Sequence, residues 1–343
     1  MFDLEKLVRE NVKNLTPYSC ARDEFKGKTG TFLDANENPF GDLNRYPDPY
    51  QRDLKTAISK NKGISVEKIF LGNGSDEIID LCFRVFCNPG KDIALTFTPT
   101  YGMYEVSASV NDVKIIKIPL DESFQIDVEK TKPYFSNDNL KIIFICSPNN
   151  PTGNCMNSSD IDYIISNFKG VVIIDEAYID FTEKSSFLTK VDKYPNLIVM
   201  QTFSKAFGLA AARVGMAFSN PSILQYFNKL KPPYNISTIN QNAALKKLGK
   251  TEEFKSQVLK IKKEKERLCN DLKKLEITLT IYPSDANFIL VKVPDATFIY
   301  NSLIDKHIII RNRTSVINNC LRITVGTHTE NNKLINALKT IVI

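Results

Sequence analysis

Val171-Val172-Ile173-Ile174-Asp175-Glu176-Ala177-Tyr178 sets four apolar residues directly before two acids. A short, continuously apolar run of this kind predicts a strand buried on both faces, as in a parallel sheet covered by helices. Asp175 then falls at the carboxyl end of the strand, where open α/β sheets bind ligands. A carboxylate there needs a cationic partner. Similar apolar runs lie on either side. Ile142-Ile143-Phe144-Ile145-Cys146 leads into Ser147-Pro148-Asn149-Asn150-Pro151-Thr152-Gly153. Asn196-Leu197-Ile198-Val199-Met200 leads into Thr202-Phe203-Ser204-Lys205-Ala206-Phe207-Gly208, with Arg213 beyond it. Chemistry-bearing residues therefore recur after buried strands.

The set fits a carbonyl cofactor. Lys205, flanked by hydroxyls and small residues, is placed as an amine for Schiff-base chemistry. Asp175 can pair with a protonated ring nitrogen. The Asn150 amide and the Tyr178 hydroxyl can donate to a phenolic oxygen. Phe70-Leu71-Gly72-Asn73-Gly74-Ser75-Asp76-Glu77 reads as a short strand, a Gly-rich turn and an acidic helix start. Helix N-termini bind phosphate through free N–H groups and the helix dipole. Ser75, Thr202 and Ser204 could add hydroxyls there, and Arg213 a forked charge. Tyr101, in Phe97-Thr98-Pro99-Thr100-Tyr101, is placed to stack on a ring. Aldehyde, pyridine nitrogen, phenolic oxygen and phosphate together describe pyridoxal 5'-phosphate. Each element alone has a plainer reading as a turn, a helix cap or a surface lysine. Their order and common position at strand ends favour the cofactor.

These residues resemble the fold-type I pyridoxal-phosphate-dependent aminotransferases and, within them, the histidinol-phosphate aminotransferases. The resemblance runs over nearly the whole chain. It includes Leu15-Thr16-Pro17-Tyr18, Leu33-Asp34-Ala35-Asn36-Glu37-Asn38-Pro39 and Arg45-Tyr46-Pro47-Asp48-Pro49. It continues through Lys231-Pro232-Pro233-Tyr234-Asn235 and Cys320-Leu321-Arg322-Ile323-Thr324-Val325-Gly326. It implies Lys205, Asp175 and Tyr178 as catalytic residues. Gly74, Ser75, Asp76, Tyr101, Asn150, Thr202, Ser204 and Arg213 join them around the cofactor, with Tyr46 reaching its phosphate from the partner in a homodimer. Tyr18, Asn36, Tyr234 and Arg322 would bind substrate. The implied reaction passes an amino group from L-histidinol phosphate to 2-oxoglutarate, giving imidazole-acetol phosphate and glutamate, a step of histidine biosynthesis. A threonine-phosphate decarboxylase and a broad aromatic aminotransferase remain as alternatives. Two departures from the family pattern are Ala211, where relatives usually carry glycine, and His328, where they often carry arginine.

Composition agrees with a soluble enzyme. The chain has 343 residues, enough for a large core and two domains. Its net charge of +6 is too diffuse to imply nucleic acid. The basic stretch Lys260–Arg267 is mixed in sign and reads as a solvated helix face. Seven cysteines without a Cys-x-x-Cys pair suit a reducing cytoplasm, and two histidines leave little for a metal site. No apolar run is long enough for a membrane span, and the acidic start Met1-Phe2-Asp3-Leu4-Glu5 is not a signal peptide.

The expected fold is α/β: a large domain whose mostly parallel sheet is flanked by helices, plus a smaller α+β domain. Large-domain strands are predicted at Asp92–Phe97, Val113–Ile118, Ile142–Cys146, Val171–Ile174 and Leu197–Met200. Small-domain strands are predicted near Ile277–Ile281, Phe288–Val291 and Leu321–Val325, with helices near Ala296–Ile304 and Glu330–Ile341. The segment 1–42 is expected to pack on the small domain. Residues 43–233 would form the cofactor domain and 234–343 the small domain, with Pro232-Pro233 marking the boundary.

Overall fold

The computed structural model describes residues 2–19, 21 and 30–341. Parts of the 1–42 segment, residues 1, 20 and 22–29, lie outside the described residues.

Seven strands form the large sheet: β1 (Ile69–Asn73), β2 (Ile93–Thr98), β3 (Lys114–Pro119), β4 (Leu140–Cys146), β5 (Val171–Asp175), β6 (Leu197–Thr202) and β7 (Val214–Ser219). Their order is β1-β7-β6-β5-β4-β2-β3. Only β7 runs against its neighbours; the pairings from β6 through β3 are all parallel. The central strands are buried on both faces, and their side chains alternate between two cores. Ile143, Ile145, Val172, Ile174, Leu197 and Val199 enter one. Ile142, Phe144, Val171, Ile173, Ile198 and Met200 enter the other. Register aligns Cys146 with Asp175 and Asp175 with Met200, so β4 and β5 end level and β6 runs two residues past them to Thr202. That alignment makes one rim from which the Asn150, Asp175 and Lys205 segments emerge.

The small domain holds the antiparallel strands β8 (Thr280–Ile281), β9 (Phe288–Lys292), β10 (Arg311–Asn312) and β11 (Cys320–Thr324), in the order β10-β11-β9-β8. Helices Ala296–Ile304 and His328–Lys339 and the end of Thr251–Leu272 close its core through Ile299, Leu303, Leu334, Leu338, Leu268 and Leu272. Thr327 and Glu330 form a capping box at the start of the last helix. Two contacts tie the domains together beside the Asn150 turn. The Asp285 N–H donates to the Gly153 carbonyl at 2.7 Å, and the Cys155 N–H to Asp285 Oδ2 at 2.9 Å.

Two expectations are corrected. The start of the N-terminal segment, through Val12, packs on the large domain, not the small one. Val8 and Val12 are buried with Phe86, Ile223 and Phe227. The Arg9 N–H donates to Val85 O at 2.9 Å, and the Tyr226 hydroxyl to Glu5 Oε1 at 3.0 Å. The helices Ser75–Phe86 and Pro221–Leu230 leave an apolar seam that these two valines cover. Second, helix Thr238–Leu248 belongs to the large domain, because Ile236, Ala244 and Leu248 share a core with Leu54 and Ile58. The large-domain core therefore extends past 234, through Leu248 to Phe254. Pro232-Pro233 interrupts helix without interrupting the core. β7 and β10 were not foreseen: the apolar run of β7 is interrupted by Gly215, and β10 spans two residues.

Val12→Ala should lower unfolding stability by about 1–3 kcal/mol and leave the m-value unchanged. Urea denaturation followed by circular dichroism measures this, and an unchanged midpoint would contradict the packing.

Candidate active site

The rim of the large sheet opens into a cavity of about 200 Å³ lined by Ser75, Asp76, Tyr101, Cys146, Asn150, Asp175, Ala177, Tyr178, Thr202, Ser204, Lys205, Arg213 and Arg322. Larger depressions exist elsewhere, but neither of the two largest gathers an amine, a carboxylate and neutral donors around one space.

Asp175 is 4% exposed. Its Oδ2 accepts the Tyr104 hydroxyl at 2.7 Å and its Oδ1 accepts the Ala177 N–H at 3.1 Å. Burial raises its carboxyl above the ordinary value, while the Tyr104 and Ala177 hydrogen bonds and the Lys205 charge oppose that rise. Lys205 follows β6 in a turn closed by the Gly208 N–H to its carbonyl at 3.0 Å. Partial burial, then the Arg322 charge, lowers its ammonium below the ordinary value, which favours the free amine. The residue keeps accessible surface because the cavity is open to solvent. Its Nζ lies 5.6 Å from the centre of the Tyr178 ring.

Asn150 and Tyr178 lie between these charges and the small domain. Arg322 Nη1 donates to Asn150 Oδ1 at 2.5 Å, which leaves the Asn150 Nδ2 as donor for a ligand. Tyr178 is buried edge-on against Phe288 at 5.1 Å. Burial raises its phenol well above the ordinary value, so it stays a donor. Arg311 stands directly across from Arg322 in the β10–β11 pair and adds positive charge beside it.

The other end of the cavity gathers a helix start, hydroxyls and an arginine. Helix Ser75–Phe86 starts there. Arg213, at φ 49°, reaches Asp76 Oδ2 at 3.1 Å and Ser204 Oγ at 3.5 Å. Gly74 has φ +76°, and a Cβ on it would stand 2.4 Å from Arg213 Nη2. A Cβ on Gly215 would meet Ser75 N at 2.5 Å, so this glycine admits β7 against the Gly74–Ser75 turn. Tyr101 donates to Asp76 Oδ1 at 3.3 Å and stands edge-on to Tyr104.

Tyr18, Asn36, Tyr46 and Tyr234 are not among the residues that line this cavity in the single chain. Tyr18 is 72% exposed in a shallow depression with Tyr50 and Lys229. Asn36 and Tyr46 line another with Ile239, and Tyr46 stacks on Tyr234 at 4.4 Å. Glu37 holds this edge by accepting the Tyr46 N–H at 2.6 Å and Arg45 Nη1 at 2.7 Å. His328 meets Glu264 at 3.4 Å and is not among the lining residues. Ala211 sits in the turn Ala210–Ala212 without a positive φ, so its methyl group is accommodated.

Three residues were missed. Tyr104 lies one helical turn past Tyr101, the one spacing signal available. Cys146 ends β4 beside Asp175. Asn149, fully buried, accepts from Thr100 Oγ1 at 2.8 Å and donates to Pro99 O at 2.9 Å, so it joins the Tyr101 and Asn150 turns. Sequence carries no signal that separates it from its neighbour.

Comparison with known proteins agrees with this geometry. Residues 19–338 match the family of aminotransferases of class I and II. A histidinol-phosphate aminotransferase of Cytophaga hutchinsonii is 51% identical over 99% of both chains. The chain belongs to this aminotransferase family. The crystal structure of the histidinol-phosphate aminotransferase from Clostridium acetobutylicum has a TM-score of 0.79 at 29% identity and covers 87% of this chain and 90% of its own. That of Sinorhizobium meliloti, in complex with pyridoxal-5'-phosphate, has a TM-score of 0.78 at 26% identity over 89% of each. The class I and II fold is thus present with its strand-end residues in one cavity. Among the described residues, no helix is long and apolar enough to cross a membrane.

Glu176, next to Asp175, ties the aminotransferase cavity to the loop behind it. Its Oε1 accepts the Phe187 N–H at 2.6 Å, and its Oε2 accepts Ser186 Oγ at 2.5 Å and Gln201 Nε2 at 2.9 Å. Burial pushes its carboxyl from 4.5 up to about 7 despite those donors. The folded chain then holds a proton that the unfolded chain releases. The stability this contributes is complete below 4.5 and is lost as the pH rises through about 7. Wild type should therefore lose stability relative to Glu176→Gln between about pH 5 and about pH 8. Urea midpoints across that window test this, and parallel profiles would contradict it.

Proposed function

We propose that the chain uses pyridoxal 5'-phosphate to transfer the amino group of L-histidinol phosphate to 2-oxoglutarate, and that it does so in the cytoplasm as a homodimer. The observation that carries this reading is the Lys205 amine and the Asp175 carboxylate facing one cavity, with Asn150 and Tyr178 beside them. The relative at about half identity over the full length carries the substrate name.

The donor set fits the cofactor. Gly74, Ser75, Asp76, Thr202, Ser204 and Arg213 would hold its phosphate, where a side chain at 74 would occupy the cradle. Tyr101 would cover the ring face, Asn150 Nδ2 and the Tyr178 hydroxyl would donate to the phenolic oxygen, and Asp175 would accept the ring N–H. When bound, the group supplies an aldehyde and an electron-accepting ring. Lys205 Nζ, whose ammonium is lowered by burial and the Arg322 charge, takes the proton from the substrate α-carbon and returns it. Arg322 pairs with the anionic end of either substrate, because a planar guanidinium matches both phosphate and carboxylate. Arg311 adds charge on the same side.

A second copy would complete the site. Leu33, Phe40 and Leu43 are 89%, 82% and 68% exposed on the same stretch as Asn36 and Tyr46. Such an apolar edge suits burial against a partner, which would bring Tyr46, and with it Tyr18, Asn36 and Tyr234, toward the neighbouring cavity. A decarboxylase would share the cofactor residues but need no keto acceptor; the named relative favours transamination.

L-histidinol phosphate should bleach the cofactor absorbance band of the holoenzyme, and 2-oxoglutarate should restore it. Release of carbon dioxide from threonine phosphate without acceptor would overturn the reading. Lys205→Ala should keep the fold and lower turnover by about a thousandfold or more; near-normal turnover would remove the mechanism. Gly74→Ala should weaken pyridoxal-phosphate binding by about tenfold or more, measured by titrating the cofactor-free enzyme. Equal affinity would contradict the phosphate assignment.

A further inference from the structure

Tyr104 is the second residue of the helix Met103–Val110 and has no accessible surface. Three contacts fix it. Its ring stacks on Phe144 of β4 at 4.7 Å and 14°. It meets Tyr101 edge-on at 5.6 Å and 87°. Its hydroxyl donates to Asp175 Oδ2 at 2.7 Å. A phenylalanine would satisfy the two ring contacts. Only the hydroxyl needs a tyrosine, and its partner is the carboxylate on which the ring-nitrogen assignment depends.

Two pieces of chemistry give that bond a direction. A phenol beside a buried carboxylate keeps its own proton, because ionising it would place two negative charges side by side. Tyr104 therefore donates only. A carboxylate that accepts a hydrogen bond is a weaker base than one that does not. A weaker base draws less on a proton shared with a neighbouring nitrogen. The second oxygen, Oδ1, has only the Ala177 N–H at 3.1 Å, so Tyr104 supplies the shorter of the two bonds that temper this carboxylate.

We propose that Tyr104 is a positioning residue for the reaction: its hydroxyl on Asp175 Oδ2 keeps the proton shared between Asp175 and the ring nitrogen of the cofactor on the nitrogen, while its ring backs Tyr101 against the ring face. The proposal rests on the reading that Asp175 faces that nitrogen. One buried side chain then sets both the edge and the face of the cofactor ring without touching it.

The test uses holoenzyme reconstituted with pyridoxal phosphate isotope-labelled at the ring nitrogen. NMR near neutral pH reads whether that nitrogen carries the proton. In wild type the resonance should be that of a protonated ring. In Tyr104→Phe it should move part-way toward the unprotonated position. kcat should fall by about ten- to a hundredfold, with KM for the amino donor within about threefold. 3-Fluorotyrosine at position 104, a stronger donor of nearly the same shape, should leave the nitrogen at least as protonated as wild type and keep kcat within about threefold. An unchanged resonance in Tyr104→Phe would overturn the proposal, whatever happens to kcat. Should Tyr104→Phe not fold, a fluorotyrosine enzyme whose nitrogen is less protonated than wild type would overturn it. Asp175→Asn separates the two levels of the argument. If it leaves the wild-type resonance in place, the ring-nitrogen reading itself fails. If it removes the protonated signal while Tyr104→Phe does not alter it, only the role of Tyr104 fails.

Discussion

A carboxylate buried at the end of a parallel strand is costly unless something compensates it. Asp175 is such a group, and much of the surrounding structure answers that cost. Tyr104 and the Ala177 N–H take its two oxygens. Lys205 supplies the nearest favourable charge. The strands on either side present their carboxyl ends beside Asp175 because the register of three parallel strands puts Cys146, Asp175 and Met200 in line. A shift of one residue would send Asp175 into the opposite core. The apolar alternation of β4, β5 and β6 thus does more than build a core. It determines which face of the sheet receives the acid and which rim receives the amine.

The second organising constraint is close approach of backbone at the Arg213 end. Gly74 and Gly215 leave room where any side chain would strike Arg213 or the Ser75 N–H. Arg213 is held by Asp76 and Ser204, so its charge is positioned before any ligand arrives. Opposite it, Arg322 is held by Asn150. The two guanidinium groups therefore stand in one space, one supplied by each domain. The contacts of Asp285 with Gly153 and Cys155 join the small domain to the loop that carries Asn150, which links the position of Arg322 to the large-domain rim.

The central strands and the strand-end chemistry were legible in the sequence for a single reason. Apolar runs such as Val171–Ile174 are unambiguous, and a polar residue directly after one has few places to go. Asp175 is such a residue; Asn150, Tyr178 and Lys205 follow within the turn that leaves each strand, and Arg213 stands directly before β7. Legibility fails where tertiary packing decides. Val8 and Val12 carry no mark that says which domain they cover. Pro232-Pro233 breaks a helix, but the chain folds back onto Leu54 and Ile58 through Ala244 and Leu248, and no local signal records that return. Tyr104 and Asn149 act through contacts with residues distant in sequence. Tyr18, Asn36 and Tyr234 carry family-like surroundings, yet a single chain holds them at another edge.

The most direct measurement is borohydride reduction of the pyridoxal-phosphate-loaded enzyme, followed by peptide mapping. The account predicts one pyridoxyl group per chain, carried by the peptide that contains Lys205. Label on any other lysine, or none, would contradict it.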